Sequence, residues 1–208
     1  MRIDLHVHTF PKSQCSSMGP EELIKEAERI GLDGFCLTEH QVLWTKSEID
    51  ELAGSKGIKI FRGNEITTAQ GDVLVFGLEK NIEGIVAIQD LHKEVTGQGG
   101  FSIAAHPFRG FKIFGIGQLD LGVDQAVRKK IFKYVDALEI RNGRVSEKEN
   151  EMAEKVAERL GLIGTAGSDA HTENTLGTWI MDFENDIESE KELIEELRTG
   201  RFTIGSMR

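Results

Sequence analysis

The 208-residue sequence predicts an α/β fold with a largely parallel sheet. Two observations carry this. Short apolar runs alternate with amphipathic stretches of helical period along the whole chain. The residues fit for metal chemistry then gather at or near the C-terminal ends of the predicted strands: His6 and His8, Glu39 and His40, Glu65, His106, and Asp169 with His171. In a parallel barrel such strand ends meet at one rim, where barrel enzymes keep their active sites. Five of the six histidines belong to these clusters, and His92 alone falls on a predicted helix, where it reads as a surface or packing residue.

The elements follow in order. Ile3, Leu5 and Val7 alternate with Asp4, His6 and His8, the period of a strand. A loop over 10–19 leads to a helix opened by Pro20-Glu21-Glu22 and stopped by Gly31. Residues 34–38 form a second strand, 46–52 a helix, and 58–61 a third strand that closes on Gly63-Asn64-Glu65. Strands over 73–76 and 101–105 enclose a helix over 85–95. A Gly- and Phe-rich loop spans 108–121 and is expected to cover or line the rim. Residues 124–132 are predicted helical, 135–140 a strand, 147–160 a strongly amphipathic helix, and 162–166 a strand running into Gly167-Ser-Asp-Ala-His171. A strand over 178–181 and a helix over 190–198 complete the chain. No linker or repeat divides it, so residues 1–208 read as one domain.

Composition removes several classes of function. The 39% of hydrophobic residues suffices for a core, and no apolar run reaches the roughly 18 residues of a membrane span. Cys15 and Cys36 are too few for a disulfide framework, so a reduced, cytoplasmic setting is expected. The net charge of −10 disfavours broad contact with a nucleic-acid backbone, leaving nucleic acid only as a substrate. Acids that hold metal ions would change that local field.

Side chains at i and i+2 share a strand face, so His6 and His8 point the same way beside a carboxylate. Two imidazoles so placed can grip one divalent metal through neutral ring nitrogens. Mixed imidazole and carboxylate donors suit zinc, manganese or iron better than calcium or magnesium alone.

The ordered set Asp4-Leu-His-Val-His-Thr9, Leu37-Thr-Glu-His40, Gly63-Asn-Glu65, Ala105-His-Pro107 and Gly167-Ser-Asp-Ala-His171 resembles the PHP family (polymerase and histidinol phosphatase domains). The resemblance runs from residue 3 to at least 171. It implies a distorted, TIM-like (β/α)7 barrel with two or three divalent metal ions at its rim. On that resemblance His6, His8, Glu65 and Asp169 hold a first metal, Glu65 bridges to a second also bound by His106, and His40 and His171 hold a third. Asp4 and Glu39 either orient these imidazoles or are solvated strand-end acids. The sequence departs from the family in two places. The loop that usually supplies an Asp or His to the third metal reads Ser13-Gln14-Cys15-Ser16, with Cys15 either a thiolate ligand or a plain loop cysteine. Where relatives place a His after Gly, Asp72 stands, on the second metal or facing solvent.

Two neighbouring metals suit hydrolysis of a phosphoester by a hydroxide that bridges them. The expected activity is therefore that of a metal-dependent phosphoesterase, with Glu65 and Asp169 essential to turnover. A phosphate also wants a cation, and Arg109, three residues after His106, is the leading candidate, followed by Arg141 and Arg144. The substrate class is a phosphomonoester or phosphodiester of a small metabolite, nucleotide or short oligonucleotide. Two alternatives stand beside it. Amidohydrolases and lactonases also begin with HxH on a barrel strand, but commonly use a bridging Lys that no strand end here supplies. A non-catalytic subunit of a nucleic-acid-processing complex is opposed by the acidic balance.

Overall fold

The computed structural model describes residues 1–54, 57–110 and 122–208; the expected rim loop beyond Gly110 lies outside them. Ten strands form two five-stranded sheets among these residues. Strands β1 (Arg2–Val7), β2 (Gly34–Leu37) and β3 (Lys59–Arg62) lie in the first sheet, and β4 (Asn64–Thr68), β5 (Gly71–Phe76), β6 (Phe101–Ala104), β7 (Ala137–Asn142) and β8 (Ile163–Gly167) make up the second. Strands β9 (Ile180–Phe183) and β10 (Phe202–Gly205) extend the first beyond β1. The helices are α1 (Pro20–Ile30), α2 (Lys46–Ala53), α3 (Ile88–Gly97), α4 (Val123–Ala126), α5 (Glu147–Leu160) and α6 (Glu190–Thr199).

The α/β class is as the sequence predicts, but the pairing is more mixed than a parallel ring. Strands β4–β5–β6 and β1–β9–β10 pair antiparallel; β1–β2–β3 and β6–β7–β8 pair parallel. The expected single strand closing on Glu65 is two strands broken at Gly63. Its first half joins β2, and its second half turns into a hairpin with β5. A side chain at Gly63 would stand 2.8 Å from both the Phe76 ring and the Thr38 methyl, so the chain crosses there only as glycine. The sheets touch at isolated bridges, Val7 with Ala170 and His40 with Glu65, rather than through a continuous ladder. Both bridges sit where the chemistry-bearing residues gather.

Local chemistry explains the helices. Thr45 with Glu48 and Ser146 with Glu149 form reciprocal caps on α2 and α5, and Ser189 accepts from the Glu192 amide at α6. The predicted helix over 124–132 is instead α4 and a 3₁₀ turn, Lys130–Lys133. Lys129 turns extended between them, which seats Ile131 and Phe132 in the core while its ammonium bonds the Pro107 carbonyl at 2.7 Å. No helix among the described residues is long and apolar enough to cross a membrane.

The strand alternation divides the core. Ile3, Leu5, Cys36, Leu74, Phe76, Ile103 and Ala137 pack together with Leu193 and Leu197 of α6. Opposite faces of the same strands pack elsewhere: Phe35 and Leu37 with α1 and α2, and Val73, Val75, Ala104 and Leu138 with α3 and α5. The face shared by Ala137 carries Glu139 two residues on, so an apolar floor gives way to ionisable residues towards the strand ends.

Arg29 and Arg208 both clamp Glu26 on α1, which ties the last residue to the first helix. The Arg29 bonds, opposed by partial burial and reinforced by Arg208, hold the Glu26 carboxyl at about 2 instead of 4.5. A depressed carboxylate stabilises the fold above its unfolded value and loses that contribution as pH falls through its folded value. Glu26→Gln is therefore expected to flatten the acid limb of the stability curve between about pH 4.5 and 2. A carboxyl-carbon NMR titration of Glu26 with its midpoint near 4.5 would contradict the clamp.

Candidate metal centre

Strand β1 turns His6 and His8 to one side, with ring centroids 5.0 Å apart and Nε2 atoms 3.0 Å apart. Each ring is held from behind. His6 Nδ1 lies 2.9 Å from Glu139 Oε1, and His8 Nδ1 lies 3.2 Å from Ser13 Oγ. Ser13 donates its hydroxyl proton to Glu39, so its oxygen accepts from His8 Nδ1–H. Both partners thus favour tautomers that leave Nε2 with a lone pair facing inward. Glu39 itself is fully buried and accepts from the Thr9 amide and hydroxyl and from Trp44 Nε1.

The bridge beside His40 brings Glu65 into the same space. Its Oε1 pairs with His106 Nε2 at 2.8 Å. Its buried Oε2 lies 3.0 Å from His40 Nδ1, 3.2 Å from His8 Nε2 and 3.6 Å from His6 Nε2, yet none of these approaches has hydrogen-bond alignment. Asp169 Oδ1 stands 3.6 Å from His6 Nε2 and 3.5 Å from His8 Nε2, while its backbone oxygen lies 2.8 Å from His171 Nδ1. Three sets of donor atoms, each within 4.8 Å of one another, result: His6, His8 and Asp169; His6, Glu65 and His106; and His8, Cys15, His40 and His171. A buried carboxylate oxygen ringed by imidazole nitrogens without a properly made bond is what a cation between them would satisfy. The donor set fits a borderline transition metal.

Electrostatics point the same way. Burial pushes His6 down, but the carboxylates of Asp169, Glu139 and Glu65 outweigh it and hold the ring well above its ordinary value. The same attraction overcomes burial at Glu65 and Asp169 and holds both below the usual carboxylate range. His171 behaves oppositely: burial, with His8 nearby, lowers it to about 4, so its ring is neutral near pH 7. Asp4 is pushed up to about 6 by burial and accepts from the amides of His6, Ser168 and Gly177. It braces β1 against the loop after β8.

The backbone is strained here. Gln41, His106 and Asp169 are the non-glycine residues of the described chain in the left-handed region, at φ of 57°, 28° and 53°. Two of them belong to the clusters and the third follows His40, the placement expected where local strain aims side chains at a site.

The structure therefore brings together His6, His8, His40, Glu65, His106, Asp169, His171 and Cys15. Asp72 stays outside all three clusters. It pairs across from Thr67, two pairs along the hairpin from Glu65 and Leu74, and is half-buried. Arg141, the second phosphate candidate, bonds Glu154 on α5 at 2.8 Å and places its guanidinium over Trp179. Arg109 contacts the Asp169 carboxylate and keeps 38% of its side chain exposed. Arg144 is exposed, close enough to Cys15 and His171 to influence both, and has no ion-pair partner among the described residues. His92 packs, with Nδ1 3.0 Å from the Tyr134 carbonyl. Sequence reasoning missed Glu139, which holds His6 with one oxygen and the His106 amide and Asn142 Nδ2 with the other. The available signal was an acid inside the apolar run of β7.

Comparison with known proteins places this arrangement in context. Residues 147–202 match the model of a family described as PHP-associated. An uncharacterized protein of Methanocaldococcus jannaschii is 27% identical over 137 residues, covering 60% of this chain and 78% of that protein. Among solved structures, PsfC from Pseudomonas syringae superposes with a TM-score of 0.69 at 20% identity, over 99% of this chain and 91% of its own. A two-domain protein from Bacteroides vulgatus, described as containing a predicted PHP-like metal-dependent phosphoesterase, gives 0.73 at 22%, over 99% of this chain and 64% of its own. An amidohydrolase from Chromobacterium violaceum with bound sulfate gives 0.68 at 16%, over 99% and 98%. At these identities the shared property is the fold.

Proposed function

We propose that the chain is a PHP-domain protein and, on that premise, a metal-dependent hydrolase of small phosphoesters. The observation that carries the reading is Glu65 Oε2, buried and unbonded among three imidazole nitrogens at the junction of the donor sets. His6, His8, Glu65 and Asp169 would hold one metal ion, Glu65 and His106 a second, and His40 with His171 a third. Divalent ions there supply Lewis-acid polarisation of a phosphoryl oxygen and an acidified water.

The chain's own residues do the rest. Glu139 and Ser13 hold the His6 and His8 rings in the tautomers that turn a lone pair inward. Glu65 and Asp169 supply the buried negative charge that makes the site attractive to cations in place of shared protons. Arg109 bonds Asp169 through one guanidinium nitrogen and offers the others to a phosphate oxygen, and Arg144, without an ion-pair partner among the described residues, approaches from the side of Cys15 and His171. Phosphate recognition by two guanidiniums at the mouth of an acidic protein favours a small, singly placed anion over an extended polyanion. The neighbour named an amidohydrolase makes amide or lactone cleavage the competing outcome.

The test is metal content of untagged protein purified without added metal, alongside assays on aryl phosphate mono- and diesters, amides and lactones. About two or three equivalents of zinc, manganese or iron are expected, with phosphoester turnover lost on chelation and restored by metal. Phosphoester turnover that survives complete metal removal would overturn the proposal, and cleavage confined to amides or lactones would reassign the reaction.

A further inference from the structure

We propose that Cys15 is a thiolate ligand of the outer metal ion and makes that site selective for zinc-like ions over manganese and magnesium. The inference rests on the metal-dependent reading above and concerns a side chain particular to this sequence. The Cys15 sulfur lies with His8, His40 and His171 in one group within 4.8 Å; with the His8 lone pair given to the first ion, Cys15, His40 and His171 would supply the outer one. His171 Nδ1 lies 2.8 Å from the Asp169 carbonyl, an acceptor, which leaves Nε2 as the free donor atom. The His8 ring stacks on His40 at 4.4 Å and lies 4.6 Å from His171, so His8 packs against both of the histidines that would bind the outer ion.

The division of donors is what separates this site from its neighbours. Glu65 and Asp169 belong to the two inner groups, whereas the outer group is made of nitrogen and sulfur donors, with the Glu65 carboxylate reaching only its inner edge, 3.0 Å from His40 Nδ1. Hard ions such as manganese and magnesium prefer oxygen, while thiolate with imidazole suits zinc and cobalt. Exposure of Cys15 and His40 gives ion and solvent a direct path, and the thiol proton leaves to solvent when the metal binds. The other cysteine, Cys36, is fully buried in the core of β2 and cannot reach the rim, so any sulfur ligation reports on Cys15.

Cobalt(II) titration of metal-free protein, followed by ultraviolet absorption, reads this ligation independently of turnover. A sulfur-to-cobalt charge-transfer band is expected, saturating at one cobalt per chain and retained in Cys36→Ala. Cys15→Ser should lose the band and one equivalent of bound zinc while the inner metal stays. Cys15→Asp should retain the equivalent without the band, and its zinc-over-manganese preference should fall by more than the ~10–100-fold that partners behind a ligand typically command. Cobalt binding with no such band, or a band that persists in Cys15→Ser, would overturn the thiolate assignment and leave the hydrolase reading intact. Protein that binds no metal under any loading condition would overturn both.

Discussion

Glu65→Gln is expected to abolish phosphoester turnover while leaving the fold in place. The substitution keeps the size of the side chain and its bond to His106, but removes the charge that His6, His8 and His40 surround. Glu65 belongs with the group of His6 and His106, and its second oxygen reaches the histidines of the other two. Its loss should therefore weaken more than one metal position at once. Activity should fall by at least about a hundredfold, the upper end of what residues behind the ligands command. Circular dichroism should be unchanged, and bound metal should drop by at least one equivalent per chain. A variant that kept wild-type metal content and turnover would remove Glu65 from the centre.

Gly167→Ala tests the packing that builds the site. A methyl there would stand 2.4 Å from His6 Cβ, 3.0 Å from the His6 amide nitrogen and 3.1 Å from Glu139 Oε1. None of the first two can swing away, because they belong to the rigid part of β1. The expected loss is about 1–3 kcal/mol, the usual range for overpacking. In a chain of this size that lowers Tm by about 2–4 °C per kcal/mol. Because the displaced strand carries His6, metal affinity should fall together with stability. Gly97→Ala, at the end of α3 with open space around it, serves as the control and should be neutral or slightly stabilising. A Gly167→Ala protein within about 0.5 kcal/mol of wild type would show that β1 and β8 do not depend on that close approach.

The sequence by itself determined which residue types could do the chemistry and that they stand at strand ends. Period-2 alternation and i, i+2 spacing are local properties, so His6 with His8 was legible from six residues of chain. The strand broken at Gly63 was not, because the Phe76 ring and the Thr38 methyl that leave no room for a side chain there come from elsewhere in the chain. Nor was the outermost strand β10, whose short run becomes a strand by pairing with β9. At the site, tertiary structure decided the partners. Glu139 holds His6 across 133 positions, Arg141 bonds Glu154 on α5, and Asp72 stands two pairs away from Glu65. The reason is common to all of these: a side chain's direction follows from its own strand, but its partner depends on which strands and helices pack beside it. Local periodicity carries no record of that packing, and burial in a shared interior enforces it.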